Sequence, residues 1–134
     1  MATQYAIGDG VRQDKGRALK LYTKACEMGN INSCERAGRM LSTGLEMKPD
    51  YPRALEFFRR ACEGNHAQGC HNLAAMYHSP DRTHGFTREQ RLKLMIDNAE
   101  KACGLGYSDS CLGLKNGCSQ GYAPACSALE RQQR

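Results

Sequence analysis

The chain has 134 residues, of which 40% are hydrophobic and 25% charged, with no tryptophan and a formal net charge of +5. These values are typical of one ordinary globular domain, and no apolar run approaches the roughly 18 residues of a membrane span. Basic and acidic residues interleave and aromatic residues are few, which favours a solvated helix surface over a nucleic-acid or anionic-membrane face.

Good helix formers fill the segments between glycines and prolines, and apolar residues recur in them at helical spacing. In chain order we predict helices at 16–28, 31–43, 51–63, 67–78, 87–104, 108–116 and 123–132. Residues 8–11 are interpreted as a turn before the first helix, and Thr87 with Gln90 resembles a capping box. The polar loops 44–50 and 79–86 should project from one edge of the structure.

Eight cysteines occur as four units of one spacing, C-x7-C. The units are Cys26 with Cys34, Cys62 with Cys70, Cys103 with Cys111, and Cys118 with Cys126. Eight cysteines can pair in many ways, but four repeats of one spacing favour a disulfide within each unit. Three residues after each first cysteine stands Gly29, Asn65, Gly106 or Gly121, and such residues accept the left-handed conformation that ends a helix. Each bridge should therefore join the last turn of one helix to the beginning of the next.

Metal binding is the alternative use of these cysteines. Structural zinc sites usually have two ligands about two to four residues apart, and the chain has no C-x2-C. His66 and His71 lie close to Cys62 and Cys70 in the sequence, so a Cys/His site there stays open as the lesser alternative. We expect no metal and no cofactor.

The cysteine units mark a longer repeat, because ALKLYTKAC (18–26), ALEFFRRAC (54–62) and LMIDNAEKAC (94–103) align on the first cysteine. Successive first cysteines are 36, 41 and then 15 residues apart. The first two spacings fit a helix–turn–helix repeat, and the last predicts a shortened unit that caps the array. We expect one domain over residues 1–134, with a partial first repeat at 5–29, repeats at about 30–64 and 66–106, and a disulfide-bonded cap at 107–134.

These segments resemble the Sel-1-like repeat, through the order A-x-x-x-Y/F-x-x-A, then Gly, then a second helix with small residues, and through GDGV at 8–11. The resemblance implies an all-α fold, an α/α solenoid of TPR-like helix–turn–helix repeats, with the first helix of the first repeat reduced to residues 2–7. The placement of the cysteines resembles two cysteine-rich branches: the Helicobacter-type secreted proteins, and the mitochondrial cytochrome c oxidase assembly factor of the Sel-1-repeat type.

The sequence contains no convincing catalytic motif. It lacks the phosphate-binding G-x-x-x-x-G-K-[ST], the metalloprotease H-E-x-x-H and the serine-hydrolase and lactamase signatures. Asp97 and Glu100, with Lys93 and Lys101 nearby, are interpreted as a salt-bridged surface. His71 and His78 are interpreted as partly exposed structural side chains, with a ligand pair as the lesser alternative. With all cysteines paired, no thiol is left as a nucleophile, so we expect a protein that is not an enzyme and has no small-molecule substrate.

The predicted core consists of apolar residues at helical spacing, including Tyr22, Phe57, Phe58, Met76, Tyr77 and Met95. Phe57 and Phe58 are neighbours in one helix, and side chains of neighbouring residues point in different directions. We therefore expect only one of the two to face inward and the other to be a candidate partner contact.

Disulfides indicate an oxidising compartment. No secretory signal is recognisable, so we expect the mitochondrial intermembrane space, where small helical hairpins are oxidised as they fold. The resemblance implies an interaction scaffold, and we expect an accessory subunit or assembly factor of a respiratory-chain complex, with cytochrome c oxidase favoured. Its partners would be protein subunits of a membrane-bound complex, with an open, partly apolar end at residues 5–22 supporting association. The alternative is a secreted or periplasmic bacterial protein that binds a host or cell-wall ligand.

Overall fold

The computed structural model describes residues 9–43 and 48–132, with side chains described from residue 15 onward. Within these ranges all regular structure is helical. The elements are α1 (Asp9–Glu27), α2 (Ile31–Thr43), α3 (Tyr51–Glu63), α4 (Ala67–His78), α5 (Arg88–Gly104), α6 (Ser108–Ser119) and α7 (Ala123–Gln132), with a short 3₁₀ helix at Pro80–Arg82 between α4 and α5.

Successive helices pack against one another from α1 to α7, and α5 also contacts α7. This nearest-neighbour packing is the arrangement of a helical solenoid. The predicted fold class, a TPR-like stack of helix–turn–helix units, is therefore confirmed. No helix in the described ranges is long and apolar enough to cross a membrane.

The four turns between bonded cysteines share one backbone motif. Gly29, Asn65, Gly106 and Gly121 have φ angles of +97°, +63°, +100° and +89°. In each turn the next residue donates its N–H to the carbonyl that precedes the first cysteine, over 2.9–3.0 Å. This is the Schellman ending of a helix, and it confirms the left-handed position predicted three residues after each first cysteine.

The structure bonds the cysteines in the four predicted pairs. Each first cysteine lies in the last turn of a helix, and its partner is the fourth residue of the next helix. The identical turns bring the Cα atoms of each pair to 4.4–4.8 Å, within the range that a disulfide spans. The bridges thus link α1 to α2, α3 to α4, α5 to α6 and α6 to α7.

The main core lies among α1 to α5, and both phenylalanines of α3 belong to it. Phe57 is 6% exposed and Phe58 only 2%, so the prediction that one of them faces outward is wrong. The reason is that α3 packs between α2 and α4, which covers two sides of the helix. Phe58 lies so close to Gly38 that a Cβ on that glycine would come within 2.7 Å of the ring.

Two predicted helix boundaries also differ from the structure. Helix α1 begins at Asp9, so residues 9–11 are helical and not a turn; one glycine in a helix costs only about 1 kcal/mol and does not stop it. Helix α6 continues beyond residue 116 to Ser119, which places Cys118 in its last turn. The capping box at Thr87 is confirmed, since Thr87 and Gln90 bond each other reciprocally.

The loop at 79–86 was predicted to project from the stack. In the structure, parts of this loop fold back against the stack instead. Thr83 is only 2% exposed, and its hydroxyl donates to the Ser79 carbonyl over 2.7 Å. The ring of Phe86 contacts that of Tyr77 edge-on, with centroids 5.4 Å apart. The predictions for residues 2–7, for residues 44–47 of the other loop and for the beginning of the open end at 5–22 lie outside the described residues.

Candidate binding groove

A groove of about 660 Å³ lies between α4, α5 and α6. Its lining includes Leu92, Met95 and Ile96 from α5, Leu114 from α6, and Tyr122, which precedes α7. Most of these side chains are apolar, so the surface can bury a partner's apolar residues. We call this surface, between α4, α5, α6 and Tyr122, the groove.

Helix α5, which lines the groove and also a second hollow, is longer than the helices that follow it. Helix α5 has 17 residues, whereas α6 has 12 and α7 has 10. The second hollow, of about 440 Å³, lies between α5 and α7. Leu92, Ile96 and Tyr122 line both hollows, so the same three residues form the shared wall.

His71 fixes one wall of the groove. Its Nδ1 lies 2.8 Å from Oγ of Ser110 in α6, and its ring stacks on that of Tyr107 with centroids 4.6 Å apart. Ser110 is 2% exposed, so this contact ties α4 to α6 from within. The arrangement supports the predicted structural role of His71, while His78, further along α4, also lines the groove.

A histidine beside a serine can act as a base that activates the serine hydroxyl as a nucleophile. The contact of His71 with Ser110 is therefore compared with a catalytic pair. In the described residues no carboxylate hydrogen-bonds to His71 to orient it, and the hydroxyl of Ser110 is buried. The pair therefore joins two helices, and within the described ranges it has no third, orienting group of the kind that hydrolases use.

The Cys/His metal alternative is not assembled at α3 and α4. Cys62 and Cys70 are bonded to each other, so neither is a thiolate. Nδ1 of His66 accepts the Gly69 N–H over 3.0 Å and caps α4. Over the described ranges, no three His, Cys, Asp or Glu side chains are grouped as metal ligands would be.

The charged rim beside the second hollow is salt-bridged, as predicted, but the cation comes from α7 and not from the nearby lysines. The guanidinium of Arg131 in α7 donates two hydrogen bonds of 2.7 Å to the Glu100 carboxylate. This contact holds the pKa of Glu100 below its usual value, and Asp97 adds a weaker attraction to Arg131. The lysines predicted to surround these carboxylates form no ion pair in the described part of the chain, because the fork-shaped guanidinium of α7 reaches Glu100 with better geometry.

The sequence reasoning missed Tyr122, which lines the groove, and Tyr107, which stacks on the groove residue His71. Each lies four residues before the second cysteine of its unit, where the first two units have Asn30 and His66. In those two units the side chain caps the next helix, by accepting from Ser33 N or Gly69 N, whereas Tyr107 makes no such bond. Comparing this one position across the four units would have identified both tyrosines.

Comparison with known families agrees with this architecture. Residues 1–30 and 31–66 each match the Sel1 repeat. Together the two matches cover 66 of the 134 residues. No curated protein shows significant sequence similarity to the chain. The Sel1 match ends near the beginning of α4, and the same bridge and Schellman turn recur beyond it at α5–α6 and α6–α7.

Proposed function

We propose that this protein is a non-catalytic interaction scaffold that binds a protein partner along the groove. The observation that carries the proposal is a wide apolar hollow in a helical solenoid, whose first 66 residues match the Sel1 repeat. Helical solenoids present extended surfaces of this kind to other proteins. Charged Arg88 and Asp109 stand beside the apolar lining, which matches the apolar centre and polar rim of protein interfaces.

The disulfides support this role because they fix the helices that form the groove. Bridges join α5 to α6 and α6 to α7, and another holds α4 to the preceding helix. A surface that is already rigid loses less conformational entropy when it binds. We propose that the repeats extend as a partial repeat at 5–29, repeats at about 30–64 and 66–106, and a cap at 107–134.

We further propose that the partner is a respiratory-chain complex facing the mitochondrial intermembrane space, with cytochrome c oxidase favoured, and that the protein is its accessory subunit or assembly factor. Two observations support this. Four disulfides in one small chain suit an oxidising compartment. Each links cysteines only eight residues apart, so each can form within a single helical hairpin.

The compartment is tested by incubating freshly translated, reduced chain with isolated mitochondria. We expect the chain to become protected from added protease, to run as the oxidised form on a non-reducing gel, and to be released when the outer membrane is ruptured. Protein that stays outside and reduced would contradict the intermembrane-space assignment. Oxidation in a bacterial periplasm instead would favour the secreted or periplasmic alternative.

The groove is tested by a matched pair of leucine substitutions. Leu92→Glu places a charge in the shared wall, while Leu112→Glu makes the same change at a side chain that is 56% exposed and does not line either hollow. Tagged wild-type protein should co-purify with cytochrome c oxidase from solubilised inner membranes. Leu92→Glu should reduce that recovery at least tenfold and Leu112→Glu should not, and equal recovery for both variants would refute the groove as the binding surface.

A further inference from the structure

A second surface lies at the other end of the stack, on the side of α1 that faces away from α2. It consists of Arg17, Lys20, Leu21, Lys24 and Met28, and we call it the α1 face. Leu21 and Met28 are 63% and 78% exposed, the highest values among the large apolar side chains that the structure describes. The main helix contact of α1 is with α2, whereas α2 to α6 each pack between two neighbours. The α1 face is therefore where a further helix would stack.

The five residues form two parallel stripes along the helix. Met28 directly follows α1, and its N–H still donates to the Lys24 carbonyl over 3.1 Å, so it continues the line of Leu21, seven residues earlier, over about 10 Å. Arg17, Lys20 and Lys24 lie beside that line, because residues three and four apart share a helix face. The buried Cys26 and the half-buried Leu19 and Tyr22 occupy the opposite side, toward the core.

The charge on the α1 face is not neutralised within the described part of the chain. Arg17, Lys20 and Lys24 take part in no ion pair there, whereas Arg39 of α2, Arg59 and Arg60 of α3, and Arg131 of α7 pair with glutamates. Lys20 and Lys24 are four residues apart and repel each other. Glu27, which is exposed three residues after Lys24, adds one carboxylate beside this face, so the described residues there carry three cations and one anion.

We propose that the α1 face binds an acidic amphipathic helix of a protein partner, one whose apolar stripe covers Leu21 and Met28 and whose carboxylates meet the three cations. A membrane surface fits less well. Interfacial helices bury a broad apolar face with aromatic residues, and the apolar side of α1 is already packed on α2. The proposal rests on the scaffold function above, and it concerns a surface separate from the groove.

The test uses a synthetic 18-residue helical peptide with a leucine stripe flanked by glutamates, and a control peptide with lysine at every glutamate. Each is titrated into the oxidised, full-length, ¹⁵N-labelled protein, and amide shifts are followed by NMR. We expect the acidic peptide alone to bind, with shifts concentrated in residues 15–28, and its affinity to fall as salt is raised, because ions screen exposed charges.

Charge-reversal variants test which residues bind the peptide. Lys20→Glu with Lys24→Glu should weaken binding of the acidic peptide at least tenfold. Lys101→Glu with Lys115→Glu changes the net charge equally at two exposed lysines elsewhere and should change affinity less than threefold. All four lysines are exposed, so unchanged helicity by circular dichroism is expected in both variants.

Several results would overturn the proposal. One is equal weakening by the two double variants, which would show only long-range attraction to net charge. Another is binding of vesicles containing phosphatidylglycerol without binding of the acidic peptide, which would assign the face to a membrane. A third is concentration of the amide shifts in α4 to α6, which would move the site to the groove. Failure at α1 leaves the Leu92→Glu test unaffected, so the two proposals fail separately.

Discussion

Replacing Cys62 and Cys70 by alanine removes the bridge in the centre of the stack, and its cost can be estimated from the structure. The two cysteines are eight residues apart. Removing a bridge that closes a loop of this size raises the entropy of the unfolded chain and lowers the free energy of unfolding by about 2.5 kcal/mol. Both cysteines are also buried, at 3% and 0% exposed. Losing two buried sulfur atoms adds about 1.5 kcal/mol on the scale of one methylene group each, so we expect a loss of about 4 kcal/mol.

The matched control is the double alanine variant of Cys118 and Cys126, whose sequence separation is also eight. These cysteines are partly exposed, so their loss should cost about 2.5 kcal/mol, the entropy contribution alone. Urea unfolding without reductant, followed by circular dichroism, measures both free energies, and equal m-values support the comparison. If the control pair costs as much as the central pair, burial of the sulfur atoms does not set the difference and the reasoning is wrong.

Three further predictions concern packing, pH and redox chemistry. Gly69→Ala should lower stability by about 1–3 kcal/mol in thermal unfolding, because its Cβ would lie 2.6 Å from that of Ala61. Gly113→Ala, with open space around it, should raise stability by up to about 1 kcal/mol. A larger loss for Gly113→Ala than for Gly69→Ala would contradict the packing described. Because Arg131 lowers the pKa of Glu100, their contact should stabilise the fold at pH values above the ordinary glutamate pKa. That stabilisation should be lost as the pH falls through the lowered pKa of Glu100. Arg131→Gln should flatten this part of the stability–pH curve, and an unchanged curve would refute the contact. Titration with dithiothreitol and alkylation should show the two partly exposed C-terminal bridges reduced before the two buried N-terminal ones, since exchange needs access to sulfur; the opposite order would contradict this.

The local fold could be predicted from the sequence wherever a residue type determines the backbone conformation at its position. Asn65 illustrates this, because its position after Cys62 matched that of three glycines, and its φ angle is indeed positive. Once the turns were placed, the bridges and helix ends followed from the spacing of the cysteines. The first helix shows the limit of such reasoning, since the glycine at position 10 suggested a turn where the helix continues.

Features that depend on how the helices pack together could not be predicted in the same way. Whether Phe57 and Phe58 are both buried depends on α3 having helices on two sides, which no pattern within α3 reveals. The groove depends on how α4, α5 and α6 pack together, and the partner of Glu100 comes from α7, 31 residues away. Tyr107 and Tyr122 were within reach of the sequence, by comparing the position four residues before the second cysteine in each unit.

The measurement that tests the account most directly is disulfide mapping of the protein by mass spectrometry without reduction. No lysine or arginine lies between the two cysteines of any unit, but at least one separates each unit from the next. Trypsin should therefore release four separate peptides, each containing one pair and each two hydrogens lighter than its reduced form. A disulfide that joins two of these peptides would contradict the pairing, and with it the turns and the repeat register on which the groove and the α1 face depend.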